Sequence, residues 1–428
     1  MKLWKKIVLC LLCSTGVVVA YSLIYNYPIR FYPKWSYTPN SITVLHPAGR
    51  KPDNIVLTPS RDIATMATIT WRTDDSISDG VVEFEAVGGN GTVRETASSA
   101  NRVVADELTS NHVINCHTAT LTGLTPKTTY RYRVGNRTSG DWSGYRTFIT
   151  GSGDDSSFSF VYFGDTQIRP DRFGKLLRTV ESRHPDIAFY MIGGDLVDMG
   201  DLRNLWDDFL ANTTDVFSQK FLAPVMGNHD FGDKMRGSRI FNTYFHLPGQ
   251  PQESLHKAFN YSFRCGPAYF IALSQCEAEE QRPWLEEELQ MADSLGCAFK
   301  VVMFHYPIYN AKKNRDNPEM QKHWVPLFDK YGVDLVLTGH DHSYMRSKEL
   351  KAGVPVSGDE RGTVYVVANA CDKHNKFVAQ DIAEKQFTDV ATYQLITVAV
   401  DPGRHPALHY QSRDGKGTIL DEFKLLAD

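Results

Sequence analysis

The sequence predicts two successive folds: an all-β sandwich over residues 41–150, then a layered α/β sheet core with flanking helices over residues 155–428. Short alternating strands separated by turn residues predict the sandwich. Apolar runs of strand length that alternate with helical stretches predict the layered core, not a barrel. A chain of 428 residues has room for both.

The first 25 residues predict a secretory signal peptide or a single membrane anchor. Three lysines precede an uncharged apolar stretch, which contains a Val-Val-Ala sequence suited to cleavage after Ala20. The stretch also approaches the length of a membrane span, so cleavage and tethering both remain open. Residues 26–40, rich in Pro and Tyr, are typical of an extended linker. We therefore expect export: a secreted, periplasmic or membrane-anchored protein whose folded part lies outside the cytoplasm.

The predicted sandwich contains the strand-like segments ATITWRT, VVEFEAV, HTATLTGL, TYRYRVG and YRTFIT. We expect Trp71 in its core, and Trp142 and Tyr145 packed near the last strand. His117 fits a structural role better than a chemical one. We therefore expect the chemistry to lie elsewhere in the chain.

Five apolar runs in the second part each end on residues that bind metals. They lead into Gly164-Asp165, Gly193-Gly194-Asp195, Gly227-Asn228-His229-Asp230, His305, and Gly339-His340-Asp341-His342. In open α/β sheets, ligands bind at the carboxyl ends of the strands. If these strands share one sheet, their ends gather two carboxylates, one amide and several imidazoles. Such a donor set suits a pair of divalent metal ions.

The other elements of the core are predicted around these runs. The spacing from Asp165 to Asp195 matches a βαβ unit. Helices are expected over residues 172–182, 201–210, 214–220 and 283–294, the last starting at Pro283. Residues 258–263 and 268–273 predict a hairpin, and VYVVANA, YQLITVAV and LHYQSR predict further strands.

Charge and cysteine content exclude some functions. A net charge of -4 argues against a nucleic-acid-binding surface. Five cysteines lie beyond the leader, namely Cys116, Cys265, Cys276, Cys297 and Cys371, with no CxxC spacing typical of a thiolate zinc site. One or two disulfides and buried free thiols both fit this pattern.

The motifs GDTQ, GGDLVD, GNHD, FHYP and GHDH together resemble the calcineurin-like metallophosphoesterase superfamily. The preceding segments ATITWRT, YRYRVG and WSGYRTF resemble the fibronectin-III-like N-terminal domain of purple-acid-phosphatase relatives. The resemblance covers nearly everything after the linker. Its motifs are highly specific for the superfamily and much less specific for the substrate.

The resemblance implies a centre of two divalent ions, with Mn, Zn or Fe(II) as candidates. Transferred by position, the ligands are Asp165 and His342 for one ion, Asn228, His305 and His340 for the other, and Asp195 as the bridge. The implied reaction is hydrolysis of phosphate monoesters by metal-activated water or hydroxide attacking phosphorus. His229 would protonate the leaving group, and Asp230 would orient His229.

Two positions depart from the family pattern. Gln167 stands where many members have a histidine, and it either ligates through oxygen or lies beside a ligand. Asp198 stands where purple acid phosphatases have a metal-binding tyrosine. Without a tyrosinate we do not expect ferric iron. Asp198 either hydrogen-bonds a ligand or only turns the chain.

The sequence says less about the substrate, which we expect to be a phosphorylated small molecule or another phosphoester. Arg169 is a candidate for gripping a phosphate oxygen, or it is a solvated loop residue. The polar residues 309–322 are a candidate rim or lid near His305. Two alternative functions remain: a phosphodiesterase acting on nucleotides or lipid head groups, and a surface adhesion protein that binds through the sandwich.

Overall fold

The computed structural model describes residues 46–89, 91–103, 113–231, 236–248, 260–274, 277–312 and 317–427. The predicted leader and linker lie outside the described residues, as do Cys276 and the centre of the predicted lid. Across the described ranges, no helix is both long enough and apolar enough to cross a membrane.

Two four-stranded antiparallel sheets form the N-terminal sandwich, as predicted. One has the order β1-β2-β6-β5 and the other β4-β3-β7-β8. The strands are β1 (Asp53–Thr58), β2 (Ala67–Asp74), β3 (Val81–Ala86), β4 (Arg94–Ala97), β5 (Ser99–Val103), β6 (Ile114–Leu121), β7 (Thr129–Gly135) and β8 (Arg146–Ile149). Many of their buried side chains belong to an apolar cluster that continues into the second part of the chain.

Trp71 lies in this core, and His117 is structural, as expected. The rings of Trp71 and His117 stack with centroids 5.2 Å apart, and the Thr73 hydroxyl lies 2.9 Å from His117 Nε2. Burial lowers the pKa of His117 to about 4. Tyr145 is instead 51% exposed, with the Arg133 guanidinium 5.2 Å from its ring centroid.

The rest of the chain forms two larger mixed sheets and a two-stranded hairpin. The six-stranded sheet has the order β11-β10-β9-β21-β22-β23, and the seven-stranded sheet β12-β13-β14-β15-β19-β16-β20. The first contains β9 (Phe158–Phe163), β10 (Ile187–Ile192), β11 (Phe221–Pro224), β21 (Thr392–Ala399), β22 (Ala407–Asp414) and β23 (Ile419–Leu426). The second contains β12 (Tyr261–Cys265), β13 (Ala268–Ala272), β14 (Phe299–Met303), β15 (Leu335–Thr338), β16 (Tyr344–Ser347), β19 (Val364–Val367) and β20 (Ala383–Phe387). The hairpin pairs β17 (Leu350–Lys351) with β18 (Val354–Pro355).

The five strands that lead into the metal-binding motifs do not share one sheet. Strands β9, β10 and β11 belong to the six-stranded sheet, whereas β14 and β15 belong to the seven-stranded sheet. The two sheets pack through aromatic rings, with Phe270 of β13 edge-on to Phe160 and Phe189 at centroid distances of 5.1 and 5.0 Å. The expected gathering of strand ends is therefore achieved by two packed sheets.

Described helices flank the sheets at α1 (Pro170–Arg183), α2 (Arg203–Phe217), α3 (Asn228–Phe231), α4 (Arg236–Tyr244), α5 (Ala278–Ser294), α6 (Pro318–His323) and α7 (Val325–Tyr331). The two helices expected around residues 201–220 are one continuous helix. Its polar residues Asn212 and Thr213 lie inside this helix, and each side chain donates to the carbonyl four residues earlier, at 2.8 Å. Helix α5 begins five residues before the expected start, and Pro283 lies inside it.

A buried ionic network joins the sandwich to the second part. Arg72 of β2 donates two hydrogen bonds to Asp53, at 2.8 and 2.7 Å, and its third nitrogen lies 2.8 Å from Asp207 of α2. Asp207 also faces Arg203 at 3.4 Å and accepts a hydrogen bond from Tyr244. Asp207 is fully buried, so it holds two domains of different fold together through charge in a dry environment.

We expect Asp207→Ala to destabilise the protein by about 3–5 kcal/mol, because it removes the carboxylate shared by two buried guanidinium groups. Urea unfolding followed by fluorescence measures this. Asp215→Ala is the matched control, since Asp215 lies on the same helix in an exposed pair with Arg178. The control is expected to cost less than about 1 kcal/mol. An equal loss of unfolding free energy in both variants would show that the buried network stabilises the protein no more than an exposed ion pair does.

Candidate metal centre

The strand ends of both sheets bring the predicted ligands together. Asp165 follows β9, Asp195 follows β10, Asn228 begins α3 just after β11, His305 follows β14, and His340 and His342 follow β15. These six residues are called the candidate cluster below. Asp165 and His305 are fully buried and Asp195 is 1% exposed, so the charged groups face each other without bulk water.

Glycines let the two carboxylates pack directly against the backbone. A Cβ atom on Gly227 would lie 2.1 Å from Asp195 Oδ1, and one on Gly339 would lie 2.3 Å from Asp165 Oδ1. No side chain fits at these distances. The first residue of GNHD and of GHDH must therefore be glycine, because a carboxylate oxygen approaches its Cα closely.

Three residues of the candidate cluster adopt left-handed backbone conformations. The φ angles are +51° for Asp195, +70° for His340 and +51° for His342. This region is strained for residues other than glycine, and such strain persists where the surrounding structure imposes it, often at functional sites. All three residues contribute donor atoms to the two groups described below.

His305 is oriented by a backbone carbonyl. Its Nδ1 lies 2.8 Å from the carbonyl oxygen of Gly193, which only accepts, so Nδ1 carries a hydrogen. Its Nε2 then faces Asp195 Oδ2 at 3.4 Å, Asn228 Oδ1 at 3.2 Å and His340 Nδ1 at 3.2 Å. Several lone pairs thus point at one small volume, which calls for a proton or a cation.

The pKa values of the buried groups reflect this crowding. Burial opposes protonation of His305, but the negative charge of Asp195 beside the ring outweighs burial and raises the His305 pKa to about 9. Burial likewise opposes ionisation of Asp195, but His305 and then His229 lower its pKa to about 2. For Asp165, burial outweighs the opposing effect of His305 and raises the pKa to about 7. Without a cation, a proton on His305 supplies the missing positive charge.

The donor atoms fall into two overlapping groups that suit two cations. One group is Asp165, Asp195 and His342, and the other is Asp195, His305 and His340. Within each group the donor atoms lie within 4.8 Å of one another. Asp195 belongs to both, which is the arrangement expected of a bridging carboxylate.

Unpartnered oxygens support the same fit. Among the described residues, Asp165 Oδ2, Asp195 Oδ2 and Gln167 Oε1 are buried without a hydrogen-bond partner. A buried carboxylate oxygen left without a partner is costly, and a bound cation removes that cost. The Gln167 amide nitrogen lies 3.4 Å from His342 Nε2, so this residue is at the His342 side of the candidate cluster.

His229 borders the candidate cluster and is held by Asp198. Its backbone N–H donates to Asp195 Oδ1 at 2.9 Å, and its ring Nε2 lies 4.0 Å from Asp195 Oδ2. Its Nδ1 lies 2.8 Å from the carbonyl oxygen of Asp198 and 3.4 Å from that residue's carboxylate. The hydrogen bond to Asp198 raises the His229 pKa, burial works against it, and Asp195 adds to the rise, to about 9.

The expectation that Asp230 orients His229 is wrong. The Asp230 side chain is fully buried and accepts backbone N–H bonds from Gly227 at 2.8 Å, Val197 at 3.1 Å and Leu196 at 3.2 Å. Consecutive residues of a helix point in different directions, so in α3 the aspartate faces inwards while the histidine faces the candidate cluster. Asp230 ties the loop after β10 to the loop after β11.

Arg169 forms an ion pair with its neighbour Asp171. Its guanidinium makes two hydrogen bonds to Asp171, both 2.8 Å long. It lines a cavity of about 120 Å³ together with Gln167, Arg172 and Cys371. The phosphate contact of Arg169 stays a prediction, and the cavity that Arg169 lines also contains Gln167, next to the candidate cluster.

A sixth strand end, which is not among the five predicted motifs, also reaches the site. Asn369 and Cys371 follow β19, and the backbone N–H of Ala370 donates to the carbonyl of Asp165 at 3.1 Å. Cys371 Sγ lies 3.2 Å from His342 Nδ1. The signal was present, since VYVVANAC is one more apolar run that ends on polar residues.

The cysteines supply no disulfide within the described ranges. Cys116, Cys265, Cys297 and Cys371 are buried and free.

Two family models match the chain. The calcineurin-like phosphoesterase model matches residues 158–344, which contain the whole candidate cluster. The model of the purple acid phosphatase N-terminal domain matches residues 52–150. The two together confirm the family resemblance of both parts.

Curated relatives share both parts at low identity. The chain is 28% identical over 360 residues to an uncharacterised protein of Mycobacterium tuberculosis, covering 72% of this chain and 67% of that protein. It is 26% identical over 311 residues to the probable purple acid phosphatase 20 of Arabidopsis thaliana, covering 70% and 69%. Acid phosphatase type 7 of Danio rerio is 22% identical over 429 residues, covering 89% and 93%.

Solved structures show the same fold. A purple acid phosphatase from yellow lupin (Lupinus luteus) seeds superimposes with a TM-score of 0.75 at 20% identity, covering 90% of this chain and 75% of that chain. The structure of PhoD gives a TM-score of 0.62 at 12% identity, covering 88% and 91%. The expected order of an all-β domain followed by a layered sheet core is thus confirmed.

Purple-acid-phosphatase-like proteins use a dinuclear metal centre, which agrees with the two donor groups that share Asp195. The chain therefore matches a purple acid phosphatase N-terminal domain over residues 52–150 and a calcineurin-like phosphoesterase domain over residues 158–344, and these matches and relatives indicate a metal-dependent phosphatase.

Proposed function

We propose that this protein is an exported phosphatase that hydrolyses phosphate monoesters at the candidate cluster. The observation that carries the proposal is the pair of donor groups joined by Asp195, with a partnerless buried oxygen on each aspartate. The export part rests on the predicted leader alone. The division of the chain into two domains, residues 41–150 and residues 155–428, is part of the same proposal.

The proposed ligands are Asp165 and His342 for one ion, Asn228, His305 and His340 for the other, and Asp195 for both. Gln167 is proposed as an additional ligand on the His342 side, because its buried Oε1 lacks a partner. Carboxylate, amide and imidazole donors without thiolate or tyrosinate favour Mn, Zn or Fe(II). Bound divalent ions would supply positive charge for the phosphate oxygens and activate water for attack on phosphorus.

The protein's own contribution to leaving-group departure is assigned to His229. As water attacks phosphorus, the bond to the leaving oxygen breaks, and that oxygen takes a proton. The Nδ1 side of His229 is held by Asp198, so Nε2 faces the candidate cluster and is the nitrogen that delivers the proton. Asp198 is thus proposed to orient His229, the role that the sequence had suggested for Asp230.

Arg169 is proposed to act on the part of the substrate that enters the adjoining cavity. To bind an anionic group it must exchange Asp171, whose side chain is 46% exposed, for the ligand. The remaining lining is partly apolar, with Phe173 and Leu176. This position fits a leaving group better than the phosphorus that is attacked.

We expect His305→Ala to lower the metal content and to reduce hydrolysis by on the order of 10³-fold, because a lost metal removes several kcal/mol of charge stabilisation. Elemental analysis of the purified protein and assays with p-nitrophenyl phosphate measure the two effects. His409→Ala, at an exposed position of β22, is the control and should change neither.

Full activity in metal-free His305→Ala protein would refute the proposed centre. The same assay on bis(p-nitrophenyl) phosphate separates the two ester classes. Faster cleavage of the diester than of the monoester would favour the phosphodiesterase alternative.

His229→Ala is expected to keep both ions but to slow hydrolysis by about 10²–10⁴-fold, with the larger loss for poorly leaving alkyl phosphates. A leaving group that is already stable as an anion needs no proton. Comparison of kcat for phenyl and alkyl phosphates, with metal content measured in parallel, tests this. A uniform loss across leaving groups would remove His229 from the proton transfer.

Asp198→Ala is expected to shift the alkaline limb of the kcat profile to lower pH. An acid catalyst must be protonated, and the hydrogen bond to Asp198 raises the pKa of His229. Without it the proton leaves His229 at lower pH, so activity declines earlier as the pH rises. Both variants keep the backbone carbonyl contact, but Asp198→Asn also keeps a side-chain oxygen that can accept from His229, so it should shift the limb less. An unchanged limb in Asp198→Ala would contradict the assignment.

A further inference from the structure

Cys371 contacts the candidate cluster without belonging to either donor group. It is 4% exposed, and its Sγ lies 3.2 Å from His342 Nδ1. On the other side of the imidazole, Nε2 lies 3.2 Å from Asp165 Oδ2. The ring of His342 is therefore held between a thiol and the proposed metal position.

The amide of Asn369 determines which way the hydrogen bonds run. Its Nδ2 lies 3.0 Å from the carbonyl oxygen of Cys371 and 2.9 Å from that of Lys373, and both oxygens only accept. The amide oxygen must then be the atom that faces Cys371 Sγ, at 3.1 Å. Because an amide oxygen cannot donate, the S–H donates to it.

The direction of that bond determines the tautomer of His342. With its hydrogen directed at Asn369, Sγ offers only lone pairs to His342 Nδ1, so the Nδ1–H donates to sulfur. The hydrogen of neutral His342 is then on Nδ1, and the Nε2 lone pair faces Asp165. This is the form in which an imidazole binds a cation through Nε2.

The loop that carries Asn369 is itself attached to the site. The backbone N–H of Ala370 donates to the carbonyl of Asp165 at 3.1 Å, and that of Thr392 donates to the carbonyl of Asn369 at 2.8 Å. The first contact ties this loop to the loop after β9, and the second ties it to the start of β21. The thiol therefore has a defined position relative to the Asp165 carboxylate.

We propose that Cys371, oriented by Asn369, is a positioning residue that holds His342 in the tautomer and orientation needed to bind one of the two metal ions. The inference rests on the proposed function, in which His342 is a ligand. A carboxylate is the common partner in this position of metal-binding histidines. A neutral thiol performs the same orientation without adding negative charge, which leaves more of the positive charge of the centre available to phosphate.

Cys371→Ala, Cys371→Ser and the control Cys265→Ala test the proposal by metal binding. Cys265 is also buried and free, but lies on β12 away from the candidate cluster. Titration of the metal-free proteins with Mn²⁺ or Zn²⁺ should show one of the two ions bound about 10–100-fold more weakly by Cys371→Ala. Cys371→Ser should recover most of that affinity, because a hydroxyl also accepts and donates. Cys265→Ala should match the wild type.

Wild-type affinity for both ions in Cys371→Ala would overturn the proposal. So would a serine variant as weak as the alanine variant, because loss of packing would then explain the defect.

A second measurement does not require hydrolysis. Nitrogen-15 NMR of the metal-free protein at neutral pH should show the His342 hydrogen on Nδ1 in the wild type and in Cys371→Ser. In Cys371→Ala a substantial population with the hydrogen on Nε2 is expected. A wild-type protein with the hydrogen on Nε2 refutes the positioning role, whereas a correct tautomer in a protein that hydrolyses no phosphate ester refutes only the proposed function.

Discussion

The site depends on one electrostatic constraint: lone pairs of buried carboxylates and imidazoles are forced to point at the same small volume. Gly193 holds the hydrogen of His305 on Nδ1, so Nε2 meets the oxygens of Asp195 and Asn228 with nothing between them. In a buried environment this arrangement is stable only with positive charge at the centre. A proton supplies it in the absence of metal, and divalent ions would supply more.

The fold maintains this unfavourable grouping with rigid parts. Parallel strands of two packed sheets end at the same place, and glycines remove the side chains that would keep the carboxylates apart. The Asp230 carboxyl group accepts from three backbone N–H groups and joins two of the ligand loops, so it serves the scaffold. Burial of the large apolar core stabilises the fold and offsets the strained backbone conformation at Asp195.

The sandwich is connected to the same scaffold through α2. Arg72 and Asp207 pair at the interface, and the preceding residue, Trp206, donates to the carbonyl of Gly200 at 2.8 Å. The N–H of Gly200 in turn donates to the carbonyl of His229 at 2.7 Å. The N-terminal domain therefore helps to hold the helix on which the loop beside His229 depends, although none of its own residues belongs to the candidate cluster.

The sequence by itself determined the strand-and-loop character of the site, because short apolar runs followed by Gly and a polar residue predict buried strands and the loops that leave them. Among the residues of those loops, the family resemblance selected Asp165, Asp195, Asn228, His305, His340 and His342 as ligands. Only the tertiary structure decided that two sheets share the site, that Asp198 and not Asp230 holds His229, and that Cys371 faces His342. These features depend on contacts between residues far apart in the chain and on the direction of each side chain, neither of which follows from local periodicity.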